Sequence, residues 1–347
     1  MIKWLLNGAY SNFQETLILM MKNQEPDVGQ PPKTSSNKAS IDINLKSNED
    51  SLSLTTDESY NLTIRASPDQ ALIMINIHAV TYFGARHALE TVTQLMAYDQ
   101  EYNSLQIVGS VEIEDSPAYP YRGLLLDTSR NYFSVDSIKR LIKAMSYNKL
   151  NTLHWHITDT HSFPIEIKTV PELLQYGAYD RRRIYSHDNV KVIVDLAKVH
   201  GIRVLPEFDQ PAHCGEGWQF GERAGLGKLA VCVNQEPWQN YCVEPPCGQL
   251  NPTNTNLYGV LQKIYSEYIE LFKPDLFHAG GDEINLNCWN STKEIADWMD
   301  TNLGGRKEEQ IMEMWGQFIK VILFIYFFFY LVKFTDFLVK KLAILLL

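Results

Sequence analysis

No cysteine occurs before position 214 of this 347-residue chain, and nowhere do lysine and arginine gather into a basic stripe. The balance runs the other way, with 31 Lys and Arg against 41 Asp and Glu and a formal net charge of −10. Nucleic-acid binding normally leaves a basic footprint, so the sequence argues against that class of partner. A neutral or weakly cationic substrate is compatible with the balance. No G-x-G-x-x-G fingerprint stands at any strand–helix turn, and there is no Walker loop, G-x-S-x-G elbow or H-E-x-x-H helix. Dinucleotide, P-loop, serine-elbow and zincin chemistry thus lack their usual sequence footing. The start, Met1–Tyr10, holds an apolar run too short for a signal-peptide core.

The five cysteines, Cys214, Cys232, Cys242, Cys247 and Cys288, all lie in the second half. Their spacing is not a paired C-x-x-C zinc pattern, and no histidine sits among residues 232–247. Disulfides formed in an oxidising compartment fit better, and an odd number leaves one thiol free. The sequons at Asn61 and Asn290 point the same way, toward an extracellular or lysosomal, glycosylated protein.

Hydrophobic content of 45% and charged content of 21% are those of a folded globular protein, long enough for two domains or one large α/β domain. Residues 1–39 read as an N-terminal helix, over 12–22, and a loop over 23–39. Between residues 40 and 117, alternating runs at 41–45, 60–64 and 71–77 precede an amphipathic helix over 84–97, a small α+β domain. From 118 to 320 the rhythm changes. Short apolar strands at 122–127, 151–157, 203–208 and 275–278 alternate with helices at 135–147, 187–200 and 257–272, the pattern of parallel βα units. A further helix is expected over 308–318. Each strand ends in ionisable residues: Asp127; His156 and Asp159; Glu207 and Asp209; Asp282 and Glu283. In a (β/α)₈ barrel that end of the sheet carries the active site. A doubly wound sheet would put its crevice there too, but without a glycine fingerprint the barrel is the preferred reading. Only about the first four βα units are recognisable, half of a TIM barrel.

Residues 321–347 form an apolar tail. Its charge-free run Val321–Val332, bracketed by Lys320 and Lys333, falls short of the roughly 20 residues that span a bilayer. A non-native end is the expectation, and a membrane anchor over 321–332 is the alternative.

Phe277-His-Ala-Gly-Gly-Asp-Glu283 is the most informative segment. Two glycines let the backbone leave the strand geometry, so that Asp282 and Glu283 can serve one pocket where one protonated carboxyl drives departure of a leaving group and its neighbour steers charge. A solvated acidic turn is the bland alternative. Arg122 opens the first barrel strand, either as a solvated strand start or as a fork for sugar hydroxyls. His154 and His156 share one strand face, but no third metal ligand with suitable spacing accompanies them, and packed, hydrogen-bonded histidines are preferred. Asp159, at a strand's C-terminal end, is placed to orient a base or a cation, and His213 either pairs with it or is a satisfied loop histidine.

Taken together, Tyr121-Arg122-Gly123 with Leu126–Arg130, His154-Trp155-His156 with Asp159 and Ser162-Phe163-Pro164, Pro211-Ala212-His213, His278–Glu283 and Cys288-Trp289 resemble the β-N-acetylhexosaminidases of glycoside hydrolase family 20, and Gly215–Trp218 with Cys242–Gly248 looks most like the insect branch. The resemblance covers roughly residues 40–318. It implies a retaining exo-hydrolase that removes terminal N-acetylhexosamine from chitin oligomers or glycoprotein glycans, with no cofactor or metal. By position, Glu283 is the general acid and later base, and Asp282 orients the substrate's own attacking acetamido group. Arg122 grips sugar hydroxyls, with Asp159 holding Arg122 and coupling to His213. Cys214, where an apolar residue is usual, is the expected free thiol, with pairs Cys232–Cys242 and Cys247–Cys288. Homodimers occur in the family. Segments that complete its sugar pocket are absent here, which makes an inactive, sugar-binding product the rival expectation.

Overall fold

The computed structural model describes residues 1–22, 38–69, 71–100 and 104–345. Most of the loop expected over 23–39 lies outside the described residues. The described chain forms two compact units. The first comprises Met1–Leu124, Lys139–Leu153 and Val194–Arg203, and the second Leu125–Ile138, His154–Ile193 and Val204–Leu347. The division therefore does not follow the change of rhythm near residue 117.

In the first unit, helix α1 (Ile2–Lys22) precedes strands β1 (Lys38–Leu45), β2 (Tyr60–Ala66) and β3 (Leu72–Ala79), helix α2 (Tyr82–Gln94), a small hairpin β4 (Met96–Asp99) and β5 (Ser104–Ile107), and β6 (Ser110–Asp115). The main sheet runs β1-β3-β2-β6, with β1 parallel to β3 and the other pairs antiparallel. Period-two alternation puts Leu62, Ile64, Ile75 and Ile77 on its inner face, all buried, against Ala85, Ala88, Leu89 and Val92 of α2. Each large aliphatic side chain so buried stabilises by about 1.5–3 kcal/mol.

The βα rhythm follows: β7 (Gly123–Asp127), α3 (Val135–Tyr147), β8 (Thr152–Thr158), α4 (Pro171–Gly177), α5 (His187–Val199) and β9 (Arg203–Phe208). β7, β8 and β9 lie side by side in that order. The expected fourth strand, 275–278, is reduced to one parallel bridge between Glu207 and His278. His278 N donates to Pro206 O and Phe208 N to His278 O, after which Gly280 and Gly281 turn the chain away. The short helix α6 (Phe220–Arg223) and the two-residue strands β10 (Ala230–Val231) and β11 (Gln249–Leu250) precede α7 (Thr255–Phe272), α8 (Leu286–Ser291), α9 (Lys293–Asn302) and α10 (Glu308–Leu345).

Helix α10 does not stop near Phe318, where the expected helix ended. Ile322 and Ile325 continue the buried stripe begun by Ile311, Met314 and Phe318, and that three-to-four spacing carries the helix onward. Its outer face leaves Phe324, Phe327 and Phe328 exposed. The stretch Glu308–Phe329, which contains an 18-residue window of mean hydropathy 1.5, is long and apolar enough to cross a bilayer by length and composition.

Candidate active site

The site gathers at the C-terminal ends of β7, β8 and β9. Just past β7, Asp127 Oδ1 accepts the backbone N–H groups of Ser129 and Arg130 at 2.9 and 3.0 Å. This tight turn aims Arg130 at Asp159, with Nη1 2.8 Å from Asp159 Oδ2. Asp159 is buried and also faces His156 at 2.9 Å and His213 Nδ1 at 3.3 Å. Burial alone would favour its neutral form, but bonds from His156, His161 and His213 hold the carboxyl far below the usual carboxylate range.

After β9, His213 sits in the left-handed region, φ 58°, and spans the site. Its Nδ1 meets Asp159, and its Nε2 lies 3.4 Å from Glu283 and 3.8 Å from Asp209. Burial opposes a charge on His213, yet Asp159 and the nearby Asp209 and Asp282 raise its pKa to about 9. Asp209 is shifted upward to about 7, first by burial and further by the charge of Asp282 against the pull of His213.

The glycine pair sets the two carboxylates. Gly280 (φ 63°) and Gly281 (φ 121°) adopt backbone shapes that side chains resist, and Glu283 itself is left-handed at φ 51°. Gly281 N donates to Asp209 Oδ1 at 3.0 Å. Asp282 and Glu283 are both exposed. Oxygens of Asp209 and Asp282 and a ring nitrogen of His213 lie within 4.8 Å of one another. Asp159, His213 and Glu283 thus line one cleft with Arg130 and Glu244, and Asp282 stands beside it through Asp209 and His213.

Arg122 is not among them. It precedes β7, at the opposite end of the strand from the site. Its guanidinium donates to Glu58 at 3.0 and 2.6 Å, to Lys149 O and to Tyr119 O within the first unit. The arginine held by Asp159 is Arg130. Sequence reasoning quoted Arg130 without giving it a role, although the rule that strand C-termini carry the site points to it.

The disulfides also differ from expectation: Cys232 pairs with Cys288 and Cys242 with Cys247. β10 and β11 pair antiparallel, and Gln249 of β11 exchanges hydrogen bonds with Asn285, at the start of α8. Cys232, next after β10, therefore meets Cys288 on α8 with Cα atoms 5.9 Å apart. Cys214 is buried and unpaired. Asn61, on β2, and Asn290, on α8, are exposed.

Among the described residues, three groups bring possible metal-ligand atoms within 4.8 Å of one another: His154, Glu207 and His278; His156, Asp159 and Asp209; Asp209, His213 and Asp282.

Residues 119–324 match the glycosyl hydrolase family 20 catalytic domain, and residues 3–95 match a domain described as beta-acetyl hexosaminidase like. A chitooligosaccharidolytic beta-N-acetylglucosaminidase of Ostrinia furnacalis is 44% identical over 317 residues, covering 90% of this chain and 51% of the relative. A probable beta-hexosaminidase of Drosophila melanogaster is 46% identical over 261 residues, covering 74% and 39%. Among solved structures, a chitobiase of Flavobacterium johnsoniae aligns with TM-score 0.67 at 27% identity, over 82% of this chain and 41% of its own. An exo beta-N-acetylglucosaminidase of Vibrio harveyi aligns with TM-score 0.69 at 25% identity, over 94% and 49%. The chain spans about half the length of the curated relatives it matches.

Proposed function

Since the chain belongs to glycosyl hydrolase family 20, we propose that its second unit carries the acid–base half of an exo-acting β-N-acetylhexosaminidase site. The observation that carries this reading is His213, whose two ring nitrogens face Asp159 and Glu283 at 3.3 and 3.4 Å. In this reading Glu283 protonates the glycosidic oxygen. Asp159 fixes the ring and keeps it charged, and the imidazolium stabilises the carboxylate left on Glu283 once its proton has gone. Asp282 orients the substrate's 2-acetamido group, whose oxygen attacks the anomeric carbon. Attack from within the sugar gives retention and needs no protein nucleophile, so the two acids can be sequence neighbours. Arg130, pinned by Asp127 and Asp159, takes the part of gripping sugar hydroxyls.

The relatives' names favour chitin oligomers ending in N-acetylglucosamine, with glycoprotein glycans as the alternative substrate class. The two disulfides and the exposed sequon asparagines support an extracellular or lysosomal setting.

One observation favours a second reading, sugar binding without turnover. The Glu283 side chain is 42% exposed, whereas a general acid gains from a drier setting that holds its proton. Release of chromophore from an aryl β-N-acetylglucosaminide by the purified chain separates the two. Turnover abolished by Glu283→Gln supports the hydrolase. Chitobiose affinity without turnover supports the binder.

A further inference from the structure

His154, Glu207 and His278 come from β8, β9 and the bridge residue after α7, so no single stretch of sequence displays them as a set. We propose that they form a binding site for a divalent transition metal, with zinc or cobalt as the fitting ions. His154 Nε2 lies 2.6 Å from Glu207 Oε2, and His278 Nδ1 lies 3.0 Å from Glu207 Oε1. The three ligand atoms all fall within 4.8 Å of one another, and the two imidazole rings are 4.8 Å apart between centroids. A tetrahedral zinc with bonds of about 2.0–2.2 Å separates its ligands by about 3.4 Å. The two contacts to Glu207 therefore open by less than about 1 Å as the metal takes the place of the shared protons.

The donor set is two imidazoles and one carboxylate, which suits zinc and its neighbours rather than calcium or magnesium. Glu207 is nearly buried and is also held from behind by His156 Nδ1 at 3.2 Å, an outer partner of the kind that orients metal-bound carboxylates. Access comes through His278, whose side chain is 48% exposed and which leaves a side open for water as the fourth ligand. The ion would also act on the Gly280-Gly281 turn, because Gly280 N donates to His278 Nδ1 at 3.2 Å and a metal bound at Nδ1 takes the lone pair that accepts this bond. Metal occupancy and the placement of Asp282 and Glu283 are then linked. The inference rests on this cluster alone and not on the hydrolase reading.

The test is titration of the tag-free, chelator-treated full chain with cobalt, followed by displacement with zinc. One equivalent of cobalt should bind with visible d–d absorption and be released by one equivalent of zinc. His278→Ala, at a half-exposed position, should weaken binding at least tenfold, and His154→Gln should do the same. Asp282→Asn, which disables the neighbouring group with Asp209 and His213, should leave it within twofold. Absence of stoichiometric binding overturns the proposal. So does binding that Asp282→Asn weakens tenfold while His278→Ala does not.

Discussion

Asp209 occupies the space that a side chain at Gly280 would need: a Cβ built on Gly280 falls 1.7 Å from Asp209 Oδ1. Close approach and positive φ act on the same residue, so glycine is required there twice over. Gly280→Ala should destabilise the chain by about 2 kcal/mol or more and break the bond from Gly281 N to Asp209. Adding Asp209→Ala should recover part of that loss, because the contact with the carboxyl disappears while the 2.6 Å contact with Asp209 Cα and the backbone term remain. Urea melts of the two single variants and the double variant measure the coupling. Simple additivity would show that the clash is relieved some other way.

The two arginines should separate cleanly. Arg122 neutralises Glu58, whose carboxyl is driven down to about 2; burial opposes its charge, and bonds from His87 and Arg122 overcome that opposition. Arg122→Ala leaves a buried carboxylate short of its charged partner and should cost about 3–5 kcal/mol of stability. Arg130→Ala should instead reduce affinity for N-acetylglucosamine by at least tenfold, with a smaller stability loss. Titration calorimetry beside urea melts reads both quantities. Lost sugar binding in a still-folded Arg122→Ala would restore Arg122 to the site.

The disulfide that spans 56 residues should matter more than the one that spans five. Chain-entropy arguments give about 4 kcal/mol for the longer loop and about 2 kcal/mol for the shorter. Non-reducing peptide mapping should recover Cys232 linked to Cys288. Cys232→Ser should lower the melting temperature further than Cys242→Ser.

His213 makes stability depend on alkaline pH. Its pKa in the folded chain, about 9, stands above the ordinary 6.5. Its contribution is therefore complete below pH 6.5, falls as the unfolded chain loses its proton first, and is gone above about pH 9. The full value is on the order of 3 kcal/mol. Thermal melts of the parent chain and His213→Asn between pH 6 and 10 should converge as pH rises. A gap that stays constant would show that the ring acts by packing alone.

The rhythm of short strands and helices was readable because burial on one face leaves periodic marks, and β9 and α3 lie where those marks begin and end. The strand-end acids were readable because the barrel rule names their place. Arg130 was overlooked because an arginine has no periodic signature, and Arg122 and Arg130 share one motif segment; only contact with Asp159 or Glu58 separates them. The cysteine pairing was out of reach because β10 and β11, two residues each, bring Cys232 to α8 without leaving a pattern. The length of α10 was misjudged because a wholly apolar run conceals its own buried face. Ile322 and Ile325 look no different in sequence from Phe324 and Phe327.

The first unit is not continuous in sequence. It draws in residues 139–153 and 194–203, with Tyr82 Oη donating to Val199 O and His200 contacting Asn12 and Ser146. During synthesis, therefore, residues 1–124 emerge before the rest of the unit they belong to. Its last residues come at 203, some eighty positions later, by which time β7, β8 and their helices have also emerged. Expression of residues 1–124 alone should yield a soluble domain only if other surfaces stand in for Val199 and His200. The chain matures in an order its numbering does not announce.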